Sequence, residues 1–150
     1  MKKWWFALSL LCLICLSAFS QDHYDPELAS KYDADDYGMK KYVMAFLKRG
    51  PSAESFTDQE RMDIQKRHLD YIQKMAEDKK IILAGPFLDD GNLRGIFLFN
   101  ITSLDSAQKW TSNDPAVQAG VLTMELKQWY GSAGIMAIPE LHKKLQRKDY

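Results

Sequence analysis

Between Lys41 and Lys48, Tyr42, Met44 and Phe46 alternate with Val43, Ala45 and Leu47, so a strand here carries apolar side chains on both faces. Ile81 to Pro86 is a second apolar run. Asp89-Asp90-Gly91-Asn92 is a dense turn signal, and Gly95 to Ile101 is a run rich in β-formers, so residues 81 to 102 read as a β-hairpin. Ile96, Phe97, Leu98 and Phe99 are consecutive, which again leaves both faces apolar. The period changes between the first two strands. Thr57-Asp58-Gln59-Glu60 has capping-box spacing, and Ile64, His68, Tyr71, Ile72 and Met75 recur at three- and four-residue steps, which predicts a helix running to about Lys80. Lys66, Asp70, Lys74 and Glu77 point away from that stripe, and Lys79 and Lys80 complement the helix dipole.

After the hairpin, Ser103 is the expected N-cap of a shorter helix whose inward side is Leu104, Ala107 and Trp110 or Thr111. Pro115 stops it, placing Asp114 at its end, and Pro115 to Ala119 predicts one further turn closed by Gly120. In the last strand, Val121 to Tyr130, Leu122, Met124 and Leu126 alternate with Thr123, Glu125 and Lys127. One face is apolar and the other polar, as an edge strand requires. The order strand-helix-strand-strand-helix-strand predicts an α+β, ferredoxin-like βαββαβ antiparallel sheet with both helices on one face and the first and third strands central. Those two strands are the ones apolar on both sides. Helices cover one face, so the other is expected to pack on the sheet of an identical subunit, which predicts a homodimer.

The flanks differ in kind from this core. Lys2 and Lys3, the apolar run Trp4 to Leu16, and Ala18-Phe19-Ser20 form an export signal over residues 1–20, with a membrane anchor as the alternative; the run falls short of the about 20 apolar residues a spanning helix needs. Lipid attachment at Cys12 or Cys15 is disfavoured by Leu11 and Ile14, which precede them. The expected product is a protein exported to the periplasm or beyond, with no stable membrane anchor. Residues 21–40 form an acidic leader in which Pro26 opens one helical turn, and residues 132–150 a tail ending in Lys143, Lys144, Arg147 and Lys148.

Composition narrows the chemistry. Both cysteines fall in the signal, so the mature chain has no thiol, disulfide or cysteine ligand. Lys and Arg total 20 and Asp and Glu 20; loss of Lys2 and Lys3 leaves 18 against 20, with no field to recruit nucleic acid. No two of His23, His68 and His142 have the spacing of a metal pair on one helix, so no metal site is expected. Neither a nucleophile elbow nor a phosphate or dinucleotide loop is present, and no cofactor is expected. Gly85-Pro86, at a strand end, reads as a bend whose backbone could face a ligand.

His68 is the titratable group of an otherwise apolar stripe. Pattern alone favours a satisfied core histidine; a catalytic role requires a carboxylate that sets its tautomer, and Asp114 is the candidate. Asp114 is equally a good N-cap before Pro115, and spacing does not bring the two together. Residues 41–131 resemble the YCII (YciI-like) family in Tyr42-Val43-Met44-Ala45-Phe46, Arg67-His68-Leu69, Leu83-Ala84-Gly85-Pro86, Trp110, and Asn113-Asp114-Pro115-Ala116-Val117-Gln118-Ala119-Gly120. The resemblance implies a dimeric α+β barrel in which His68 and Asp114 form an active-site dyad in a cleft near the dimer interface. This chain departs from the family pattern in its signal, leader and tail, and in carrying Asp78-Lys79 where a glycine often precedes the second strand. Family membership does not name a substrate. One expected function is an enzyme in which His68, oriented by Asp114, performs cofactor-free elimination or isomerisation on a small cyclic or aromatic molecule, with Gly85 and Pro86 lining the cleft. A non-catalytic module binding a small ligand in the same cleft is the alternative, and haem or metal binding through His68 is a third.

Overall fold

A computed structural model describes residues 24–148 of the chain; the segment assigned to export and His23 lie outside the described residues. Its elements are α1 (Pro26–Lys31), β1 (Met39–Arg49), α2 (Asp58–Glu77), β2 (Ile81–Pro86), β3 (Leu93–Phe99), α3 (Leu104–Ser112), α4 (Pro115–Gln118), β4 (Leu122–Ser132), a 3-10 turn (Ala133–Ala137) and α5 (Ile138–Leu145). The strands form one sheet in the order β2-β3-β1-β4, every neighbouring pair antiparallel. This is the ferredoxin-like arrangement, with β1 and β3 inside and β4 at an edge.

Local chemistry sets the helix ends. Thr57 accepts from the Glu60 N–H while the Glu60 carboxylate accepts from the Thr57 N–H, completing the capping box of α2. At the other end Lys79 N–H donates to Ala76 O and Lys80 N–H to Met75 O, a Schellman closure. That motif needs a left-handed residue at the first of these positions, and Lys79 supplies it with φ 57°, at the place where glycine was expected from the family resemblance. The helix therefore ends at Glu77, a turn short of Lys80.

Alternation along the strands sorts the core into two layers. On the helix side Val43, Ala45, Leu47, Phe97 and Phe99 pack with Met75, Ile81 and Ala107, joined by Leu122, Met124 and Leu126 from β4. On the outer side Tyr42, Ile82 and Leu98 form a second cluster. A register irregularity between Ile81 and Leu83 lets the adjacent Ile82 and Leu83 both serve the outer layer.

The outer layer is covered in part by the chain itself. Ile135 and Met136 of the 3-10 turn pack against Tyr42, Ile82 and Leu98. Tyr42 is fully buried, and its hydroxyl donates to Ser132 O at 3.0 Å. Ala133 N–H donates to Gly38 O at 2.9 Å, tying tail to leader, and Trp129 folds its ring over Gly131, where a Cβ would approach the ring to 2.1 Å. Periodicity did not show this because the 3-10 turn, 5 residues long, is too short to display a face of its own. Coverage is incomplete. Met44, Phe46 and Ile96, further along the same face, remain half-buried.

Candidate active site

His68 sits in the middle of α2 on the stripe that faces the sheet, and its ring stacks on Phe97 of β3 with centroids 6.1 Å apart and planes 27° from parallel. Asp114 lies between α3 and α4. There the proline that ends one helix starts the next, and the Asp114 carboxylate accepts from Ala116 N–H at 2.8 Å as N-cap of α4. The same carboxylate meets the imidazole. His68 Nδ1 lies 2.9 Å from Asp114 Oδ1 and 2.8 Å from Oδ2. His68 is 6% exposed and Asp114 fully buried.

This geometry assigns a tautomer. A carboxylate only accepts, so Nδ1 carries a proton and donates it to Asp114, which leaves Nε2 with its lone pair in the neutral ring. Nε2 makes no hydrogen bond among the described residues. Among the described residues no buried side-chain nitrogen or oxygen lacks a partner, so Nε2 keeps contact with the exterior. The capping role of Asp114 and its role toward His68 are thus compatible, because one oxygen serves the helix while both face the ring. Such an arrangement can accept a proton at Nε2 while the buried carboxylate balances the resulting imidazolium.

Two residues that sequence patterning left in the core belong to the surroundings of the pair. Phe97 sets the plane of the imidazole; alternation puts it on the face opposite Ile96 and Leu98, but which helix residue stands above it depends on how α2 crosses the sheet. Tyr71, one turn after His68, donates to Trp110 O at 2.8 Å. Burial, and then the charge of Asp114, hold its phenol above the usual range. Phe97, Phe99 and Trp110 continue from the His68 ring as edge-on neighbours at 5.9 and 5.7 Å, so the histidine rests on a packed aromatic row.

Gly85 and Pro86 close the C-terminal end of β2. The β2–β3 register sets Gly85 opposite Ile96 on the outer face, whereas exposed Ala84 pairs with Phe97 on the side that carries His68. No hydrogen bond or ion pair joins Gly85 or Pro86 to His68 or Asp114. A Cβ at Gly85 would meet nothing within 4 Å, so packing does not demand glycine there. A shallow depression of about 380 Å³ opens elsewhere, between Asp33, Asp35, Lys40, Lys41 and Tyr130, and shares no residue with the pair. Among the described residues no cluster of three or more His, Cys, Asp or Glu could hold a metal, and no helix is long and apolar enough to cross a membrane.

A family model for the YCII-related domain matches residues 41–130. The chain belongs to the YCII-related family. The matched segment runs from β1 through β4 and contains both His68 and Asp114; α1, the 3-10 turn and α5 lie outside it. No curated protein matches the chain. Among solved structures it is similar to 5-chloro-2-hydroxyhydroquinone dehydrochlorinase from Burkholderia phenoliruptrix AC1100, determined in complex with 2,5-dihydroxybenzoquinone. Identity is 23% over 60% of this chain and 93% of that one, with a TM-score of 0.44.

Proposed function

We propose that this YCII-related protein is an exported, homodimeric small-molecule enzyme that moves a proton without a cofactor, in an elimination or isomerisation. One observation carries this reading: the buried Asp114 carboxylate holds His68 through Nδ1 and leaves Nε2 unbonded. In the reaction Nε2 takes a proton from an acidic position of a small cyclic or aromatic substrate. The imidazolium that forms is balanced by Asp114, whose own charge is held by the Ala116 N–H. The proton then returns to the rearranged product or leaves with the departing group. Dimerisation through the uncovered outer face, at Met44, Phe46 and Ile96, completes the fold as a dimeric barrel.

The test begins with a thermal-shift screen of small cyclic carbon acids and phenols, followed by turnover of whichever compounds stabilise the protein. His68→Ala is expected to reduce kcat by roughly 10²–10⁴-fold. Retained turnover in that variant would remove His68 from the mechanism. A second reading, a non-catalytic ligand-binding module, is favoured by the low exposure of His68, 6%. Compounds that bind with unchanged affinity in His68→Ala, and are never converted by the parent protein, would select it.

A further inference from the structure

Two exposed apolar features flank the same strand, and no described residue covers either. At the C-terminal end of β2 the hairpin tip presents Phe87, 41% exposed, and Leu88, 97% exposed, followed directly by Asp89 and Asp90. Beside β2 lies α5, whose first residues Ile138 and Pro139 are half-buried against the sheet. Its apolar stripe runs on past that contact through Leu141 and Leu145, 54% and 79% exposed, at the spacing that puts Ile138, Leu141 and Leu145 on one side. Lys143 and Lys144 border the stripe and have no ion-pair partner among the described residues.

Each feature is what the other lacks: a phenylalanine and a leucine with acids on the tip, leucines with lysines on the helix. Both stay exposed, so they do not meet within one chain. A two-fold axis resolves this, because an isologous contact places the tip of one copy on the helix of its partner and repeats the contact in the opposite sense. We propose that α5 docks on the β2–β3 tip of a second copy, with Leu141 and Leu145 covering Leu88 and Phe87 and Lys143 and Lys144 facing Asp89 and Asp90. The proposal rests on the dimeric reading above and extends it. The tip continues the strand that carries Gly85 and Pro86, so each copy would bring a segment outside the family domain to its partner's strand end. The two contacts would also extend the interface beyond the half-buried Met44, Phe46 and Ile96 toward the size a stable dimer needs, on the order of 1,200–2,000 Å² in total.

Charge reversal tests this with its own rescue. In sedimentation equilibrium the K143E/K144E variant is expected to raise the dimer dissociation constant about tenfold or more, and adding D89K/D90K to it to restore the original value. L141S/L145S is expected to weaken the dimer while leaving the far-UV CD spectrum unchanged. A dimer indifferent to K143E/K144E, or a fourfold variant that is not restored, overturns the docking and leaves the sheet-face dimer standing. A parent protein that stays monomeric at micromolar concentration overturns both, even if it sediments with anionic vesicles through α5; the His68–Asp114 pair is untouched by either outcome.

Discussion

The two faces of the sheet are built from alternate residues of the same strands, yet they close in different ways. On the helix side Val43, Ala45, Phe97 and Phe99 are buried beneath α2 and α3, and this closed layer carries the His68–Asp114 pair. On the outer side Tyr42 and Leu98 are sealed by the tail, while Met44, Phe46 and Ile96 stay half-buried. A face completed by helices can hold a hydrogen-bonded pair in a fixed geometry, because the groups around it have nowhere to move. A face completed by a short tail leaves apolar area whose burial depends on something else.

Substitution should separate the faces most clearly at two phenylalanines. Phe99→Ala on the closed side is expected to cost about 3–5 kcal/mol, the usual range for a buried phenylalanine, and Phe46→Ala on the open side about 1 kcal/mol. Urea unfolding measures both, and equal losses would break the distinction. Asp114→Ala, which removes a helix cap and strands the His68 Nδ1–H, should cost about 2–3 kcal/mol. Asp114→Asn should retain more of the cap while shifting the His68 tautomer, visible in the ¹⁵N spectrum of the ring. At the tail, Tyr42→Phe removes one hydrogen bond to Ser132 and should cost about 1 kcal/mol; no loss would mean that apolar contact alone holds the tail.

Smaller effects sharpen the edges of the picture. Lys79→Gly should stabilise the protein by about 0.5–1 kcal/mol, since the left-handed φ of Lys79 burdens any side chain. Glu125 lies on the outer side of β4, bonded to Lys48 first and then Lys127, which lower its carboxyl from 4.5 to about 2. A carboxyl lowered on folding adds stability that is fully present above pH 4.5 and is lost as pH falls through 2. Glu125→Gln should therefore flatten the fall in Tm between those limits, by a small amount because the network is exposed.

Much of the fold was legible where one period ran long enough to show a face. The α2 stripe, the capping box at Thr57 and the one-sided pattern of β4 needed only counting. The Asp114 cap was legible from Pro115. Its meeting with His68 was not, since 46 residues separate them; the family resemblance pointed to that pairing and the fold set its distance. Phe97 beneath the imidazole and the tail over Tyr42 were hidden for the same reason, being contacts between elements whose own patterns are complete without each other.

By itself the sequence determined which residues face which side of each helix and strand, because side-chain periodicity is a local property of backbone geometry. It also determined that the strands apolar on both faces must lie inside the sheet. The tertiary structure decided what meets across those faces: His68 with Asp114, Phe97 under the ring, Ser132 with Tyr42. Those encounters depend on how whole elements cross and how far the tail reaches, and no local spacing encodes either.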